Sequence, residues 1–197
     1  MSLERTDLVA ALERIAAAME RDFAELNELD GQLGDGDLGV TMTRGMRAIM
    51  ELKDTLSDDM GMALLACAQA FTKSSGSSYG TLMATGLMAA AKTLKGRTDV
   101  APAELAGLIA EARDKMQARG KAELGGKTVL DSLDALAAAL SEEPTPAAAK
   151  RAVAQALENF RNKPATVGRA RIFAEKSQGM DDPGRLAMER IITAASA

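Results

Sequence analysis

The sequence predicts an all-α fold: a single bundle or barrel of about eight antiparallel, up-and-down helices. Three observations carry that prediction. Apolar residues recur at spacings of three, four and seven along the chain, and no stretch shows the alternation of a half-buried strand. The 197 residues include no Trp, one Tyr and four Phe beside twelve Met, a composition that suits closely packed helices better than sheets of branched and aromatic side chains. The joints between apolar stripes are short, so sequential helices become antiparallel neighbours. A chain of this length can bury one full core, and residues 1–197 are read as one domain.

Each element has its own signal. In the first helix Leu8, Leu12, Ile15, Met19 and Leu26 form one stripe, with Thr6 or Asp7 as cap and Asp30 at its close. The second is expected from about Leu38 to Lys53. Ser57, Asp58 and Asp59 start the third, whose stripe is Met60, Leu64, Cys67 and Phe71. The fourth begins at about Ser77 and ends near Lys92, with Gly80 and Gly86 allowing close approach. Pro102 opens the fifth, which turns Leu105, Ile109, Ala112 and Met116 inward. Val129, Leu133, Leu136 and Leu140 mark the sixth. The seventh carries Ala149, Val153, Leu157 and Phe160 and is expected to continue, kinked at Pro164, to about Ala174. DDPG, with Asp182 as cap and Pro183 in the first turn, starts a last helix carrying Leu186 and Ile191.

Composition excludes several function classes. The formal charge of −4 and the lack of a basic tract speak against nucleic acid as a partner. No run approaches the ~20 apolar residues that span a bilayer, and MSLERTD lacks the order of a signal peptide. A cytoplasmic protein with no membrane partner is expected. The single cysteine, Cys67, lies in an apolar run and reads as a buried, inert thiol.

In an up-and-down bundle of eight helices, the joints after helices one, three, five and seven fall at the same end. Those joints are the Asp/Gly turn of ELDGQLGDGDLG, then KSSGSS, GKAELGGKT and KSQGMDDPG. The even joints, such as TDVAP and EEPTP, carry no comparable Gly/Ser/Asp chemistry. One end therefore reads as functional and the other as structural.

Within the first turn, Asp35 and Asp37 are two residues apart, so their carboxylates point the same way in an extended segment, and Asp30 can face them. Three carboxylates so close resist ionising together unless cations sit among them. Hard oxygen ligands of this kind suit Mg²⁺ or Ca²⁺. The same residues also suit a solvated turn, and the spacing is not that of an EF-hand. SSGSSYG offers hydroxyls and a helix N-terminus for phosphate, or a plain linker. No Walker A motif is present. Gly120, Gly125 and Gly126 let a backbone lie flat against a base, or simply join two helices. Arg169 is a candidate anion clamp or a surface arginine.

Taken together, LDGQLGDGDLG, SSGSSYG, GKAELGGKTVLDSL and VGRARIFAEKSQGMDDPG, in this order, resemble the L subunit of dihydroxyacetone kinases over essentially the whole chain. The resemblance implies a barrel of eight antiparallel helices, an adenine nucleotide (ADP or ATP) at one end, and two Mg²⁺ ions held by Asp30, Asp35 and Asp37. Nucleotide contacts would come from Leu38, Gly39 and Thr41. Ser74 and Ser75 would hold phosphate, Gly120 and Val129 would flank the base, and Arg169, Asp182 and Gly184 would complete the pocket. No catalytic acid or base is expected here. In the family a separate K subunit holds the hydroxy-ketone through a histidine, and this chain has no histidine.

Two departures stand out. The family usually has histidine where this chain has Leu38 and Met180, and commonly Thr or Ala where it has Ser74. A backbone contact at Leu38 survives that change, whereas an imidazole contact does not. Two modes stay open: bound ADP recharged by a phosphotransferase-system protein, or ATP exchanging as cosubstrate. Dihydroxyacetone and a tetrulose both stay open as acceptor, and so does the oligomeric state, a homodimer included. Rival readings are a fatty-acid kinase domain, a non-catalytic nucleotide-holding regulatory subunit, and a plain helical interaction module.

Overall fold

A computed structural model describes residues 2–197, and the fold is all-α. Among the described residues there are nine helices: α1 (Arg5–Arg21), α2 (Phe23–Leu33), α3 (Leu38–Met50), α4 (Met60–Ser74), α5 (Ser78–Thr93), α6 (Leu105–Gly120), α7 (Val129–Glu142), α8 (Pro146–Arg161) and α9 (Pro183–Ala195). The first expected helix is broken in two at Asp22, which leaves helical geometry with ψ 8°. Its carboxylate there is paired with Arg21 and with Arg190 of α9. Counted as one bent element, α1 and α2 restore the eight positions of the expected bundle. Consecutive helices from α3 to α9 pack side by side, and α9 returns onto α1 and α2 to close the ring.

The apolar stripes point where their spacing puts them. Leu12, Met19 and Leu26 are buried, as are Met60, Cys67 and Phe71 on α4 and Val129, Leu133, Leu136 and Leu140 on α7. Each such side chain contributes roughly 1.5–3 kcal/mol by leaving water. Burial also pushes the Cys67 thiol up to about 11, so it stays protonated and unreactive at neutral pH. On α9, Leu186, Ala187 and Ile191 join the core around α1, α3 and α4, while Met188 joins the α6–α7 side.

Four expectations need correction. The seventh helix does not continue past Arg161: Pro164 has no amide to donate and restricts the residue before it. Only a short 3₁₀ turn, Arg169–Phe173, follows, entered through Gly168 at φ +69°. The α1 cap is Glu4 rather than Thr6 or Asp7, and the Glu4 amide donates to Asp7 Oδ2 at 2.9 Å. Helix α3 stops at Met50, and Lys53–Thr55 form a separate 3₁₀ turn. Two-residue strands β1 (Leu3–Glu4) and β2 (Asp99–Val100) pair antiparallel, too short for any alternation to register in sequence. No described helix is long and apolar enough to cross a membrane.

The pairing of β1 with β2 marks the structural end. There the Met60 amide donates to Arg97 O at 2.7 Å and the Gly96 amide to Asp59 at 2.8 Å. Helices α4 and α5 approach so closely that a Cβ on Gly61 would lie 2.5 Å from the Lys95 backbone nitrogen and 2.6 Å from the Ala91 carbonyl oxygen. Neither neighbour can swing away, because both are backbone. Gly61→Ala is therefore expected to lower stability by about 1–3 kcal/mol, the usual cost of overpacking. Gly107→Ala, at an α6 position with open space around it, should gain up to about 1 kcal/mol. Urea midpoints of the two variants measure this, and equal shifts would contradict the packing argument.

Candidate functional site

The four Gly/Ser/Asp-rich loops, which follow α2, α4, α6 and α8, meet at the opposite end. Asp30 is not the last residue of its helix as expected; α2 runs on to Leu33. From inside that helix, Asp30 Oδ2 accepts the amides of Asp37 at 2.9 Å and Leu38 at 3.2 Å, and Asn27 Oδ1 accepts that of Val40 at 3.2 Å. Two side chains one turn apart on α2 thus satisfy two first-turn donors of α3, those of Leu38 and Val40, which its own cap residue, Asp37, does not. Gly34 is required because a Cβ there would sit 2.6 Å from Asp30 Oδ1, and Gly36 turns the chain at φ +76°. This wiring brings carboxylate oxygens of Asp30, Asp35 and Asp37 within 4.8 Å of one another. Burial, and secondarily the charges of Asp35 and Asp37, push the Asp30 carboxyl above its usual range against the pull of the two amides. A hard divalent cation would relieve that repulsion, so the donor set fits Mg²⁺.

The other loops join this turn. Arg169 forms an ion pair with Asp35, and Lys176 Nζ donates to Gln32 O at 2.9 Å. Ser75 Oγ lies 3.5 Å from Thr41 Oγ1 and accepts the Ser77 amide, while Ser77 caps α5. Tyr79 OH donates to Gly184 O at 2.9 Å, and the Thr166 amide to Gly126 O at 3.2 Å. A surface cleft of about 540 Å³ borders this rim at Gln32 and Asp181, and another of about 710 Å³ lies between α7 and α8; no triad carboxylate lines either. The triad is an open platform rather than a closed pocket.

Comparison with known proteins supplies the family. The family model for the DAK2 domain matches residues 32–197. The chain belongs to the DAK2 domain family. It is 30% identical over 193 residues to the ADP-binding subunit DhaL of the PEP-dependent dihydroxyacetone kinase of Escherichia coli, covering 93% of this chain and 92% of that one. Against the ADP-binding subunit DhaL of the PTS-dependent kinase of Lactococcus lactis it is 32% identical, covering 84% and 83%. It also matches the L-erythrulose 1-kinase of Mycolicibacterium smegmatis at 32% identity, spanning only 34% of that protein. The crystal structure of the dihydroxyacetone kinase from C. freundii in complex with AMP-PNP and Mg²⁺ superposes with a TM-score of 0.79 at 23% identity, over the whole of this chain and 34% of that one. That likeness establishes the fold.

Within this DAK2 domain the remaining residues singled out in sequence are placed unevenly. Leu38 is buried and its amide is committed to Asp30; Gly39 and Thr41 are buried on the same helical start. Ser74 turns its hydroxyl back to Phe71 O at 2.9 Å, away from the Ser75 network. Gly120 ends α6 and Val129, buried, begins α7, so they bracket the third loop, and no polar bond joins either to the triad. Asp182 caps α9 by accepting the Arg185 amide at 2.9 Å. A Cβ on Gly184 would lie 2.8 Å from the Tyr79 ring, so that ring reads the glycine directly.

Sequence reasoning passed over Asn27, Tyr79, Asp131 and Lys127. Lys127 is 1% exposed, and its Nζ donates to three backbone carbonyls: Arg161 and Lys163 at 2.9 Å and Ser177 at 2.6 Å. A lysine in a Gly-rich loop looks solvated, and only its partners 34 to 50 residues away make it a clamp. Asp131 shapes the same loop by accepting the amides of Gly125 at 2.5 Å and Thr128 at 2.8 Å. The signal available in sequence was the Thr128-to-Asp131 spacing of a capping box.

Two outcomes follow from these clamps. Lys127→Met removes the cation shared by the carbonyls of Arg161, Lys163 and Ser177, of which Arg161 and Ser177 keep a backbone amide donor, and should cost about 1–3 kcal/mol in chemical denaturation. The Asp182 carboxyl is pushed up to about 6, chiefly by burial, with Asp131 adding to the shift and Lys127 and Arg185 opposing it. A folded value above the ordinary ~3.9 means its stabilising share is complete in acid and is lost as pH rises through about 6. Asp182→Asn keeps a capping oxygen. It should therefore stabilise the ligand-free protein at pH above 7 and leave it unchanged near pH 4, as thermal unfolding across that range would reveal.

Proposed function

We propose that this chain is the nucleotide- and magnesium-binding subunit of a dihydroxyacetone kinase, and that it supplies the phosphoryl group to a small hydroxy-ketone held by a separate K subunit. The observation that carries the reading is the convergence of three carboxylates within 4.8 Å beside the α3 N-terminus, in a chain that aligns over most of its length with ADP-binding subunits of two such kinases.

Asp30, Asp35 and Asp37 would hold two Mg²⁺ as ligands, not as acid or base. ATP brings about −4 and the triad −3, which two such ions offset by +4. Held by these carboxylates, Mg²⁺ would supply positive charge against the phosphates during transfer. The residues of this chain supply position. The α3 start with Leu38, Gly39 and Thr41 lies next to the metal ligands, where a helix N-terminus favours phosphate. Ser75 extends that platform while the Ser74 hydroxyl stays turned to Phe71 O, Gly120 and Val129 bracket the base, and Arg169, Asp182 and Gly184 complete the pocket.

With no histidine in the chain, activation of the acceptor belongs to the partner, and so does the choice between dihydroxyacetone and a tetrulose. Buried Leu38 removes an imidazole contact but not the helix start itself. We take the donor to be either exchangeable ATP or a phosphotransferase-system protein that recharges retained ADP, and the setting to be the cytoplasm.

Asp35→Ala tests the reading. Mixed with a competent K subunit, the variant should make no sugar phosphate, and calorimetry should show its Mg²⁺-dependent ADP binding lost. Circular dichroism should show unchanged helix content, because Asp35 lies in a turn and accepts no backbone bond that a helix needs. Wild-type rates from the variant would remove the metal role.

A further inference from the structure

The segment between α8 and α9 is fixed at its base and latched by charge at its tip. At the base the Ala165 amide donates to Ser177 Oγ at 2.8 Å, and the Gly179 amide to Arg161 O at 2.9 Å. Lys127 ties the Arg161, Lys163 and Ser177 carbonyls together from below. These bonds are buried or partly buried, so the base is a rigid staple. The tip between them, residues 166–176, is exposed along most of its length, with Ile172 at 76%. Two polar ties hold it to the acidic turn: the Arg169–Asp35 ion pair and the bond from Lys176 to Gln32 O. Gly168, at φ +69°, is the pivot immediately before Arg169.

We propose that Arg169 and a divalent cation compete for Asp35, so that metal entry releases the Arg169 latch on residues 166–176 and leaves only the Lys176 bond to Gln32 O holding them to the acidic turn. The inference rests on the metal reading above and adds to it an order of events. In the ligand-free chain Arg169 offsets one of three crowded negative charges, through a carboxylate that Mg²⁺ would also need. A guanidinium serves that carboxylate alone, whereas a divalent ion reaches oxygens of all three residues. The two cations cannot share Asp35 without mutual repulsion, modest because the Arg169 and Asp35 side chains are both exposed. Because the coupling is reciprocal, whatever the latch takes from metal affinity, bound metal takes from the latch. The released guanidinium stays tethered at the rim through the stapled base, where an anionic ligand on the metals would receive it.

The test uses the whole chain without nucleotide, Mg²⁺ as the probe, and two readouts other than activity. Arg169→Gln should tighten Mg²⁺ binding in calorimetry by about two- to fivefold, the range an exposed ion pair supports. Arg171→Gln removes the same charge from a neighbour that makes no ion pair, and should change it little. In the second readout, chymotryptic cleavage after Phe173 should accelerate by a similar factor when saturating Mg²⁺ is added to wild type. In Arg169→Gln it should be fast already and indifferent to Mg²⁺. Unchanged or weakened Mg²⁺ affinity in Arg169→Gln, equal tightening in Arg171→Gln, or wild-type cleavage that Mg²⁺ fails to speed would each overturn the competition while leaving the metal site standing. Absence of Mg²⁺ binding in all three proteins would remove the metal reading and the latch together.

Discussion

One carboxylate oxygen organises the functional end of this molecule. Asp30 Oδ2 accepts two successive amides, those of Asp37 and Leu38, and so joins the last turn of α2 to the first turn of α3 across a four-residue connection. The intervening residues then have little freedom. Gly34 must pass over the Asp30 side chain, Gly36 must take a left-handed turn, and the two remaining aspartates are delivered to the same face. The arrangement carries a cost: burial first, and the charges of Asp35 and Asp37 second, push the Asp30 carboxyl upward. The positive end of α3 offsets part of it, Arg169 offsets more, and a divalent cation would offset the rest.

A second clamp does for the far loops what Asp30 does for the near one. Where α8 stops, the Arg161 carbonyl and that of Lys163 just beyond it are both reached by Lys127 from the third loop. That single buried cation links the third loop, the end of α8 and the approach to α9. Asp182 and Gly184 therefore stand where the packing of α9 puts them. The barrel is the scaffold that makes such reach possible: rigid helices carry loop ends to one rim, and the opposite rim is closed by unremarkable caps and a two-residue ladder. Chemistry gathers on the loops because only there are backbone donors and side-chain charges not already used by helix packing.

Much of this was legible beforehand for identifiable reasons. The acidic turn stood out because like charges among glycines have no packing explanation. The gathering of four loops followed from helix parity alone, which is why Ser75, Arg169, Asp182 and the triad could be assigned to one end before any coordinates. What escaped was long-range. Nothing near Tyr79 in sequence announces that its hydroxyl meets Gly184, 105 residues on, and nothing near Lys127 announces three carbonyls beyond Arg161. The break at Asp22 was invisible because the residues on both sides favour a helix, and it is the tertiary pairing of Asp22 with Arg190 of α9 that accompanies the change of direction. The overlong seventh helix came from reading apolar spacing across Pro164 without giving its missing amide full weight.

By itself the sequence determined the class of fold, the order of its helices, the end of the bundle that carries charge and small residues, and the three oxygen donors suited to a hard cation. Those properties are local: they depend on periodicity, on turn residues and on charge spacing within a dozen positions. The tertiary structure alone decided which side chains close the site. It set Arg169 on Asp35, buried Lys127 beneath the last loop, and turned Ser74 away while Ser75 faced Thr41. Such choices depend on how separate helices pack against one another, and a one-dimensional pattern does not record the distance between residues that are far apart along the chain.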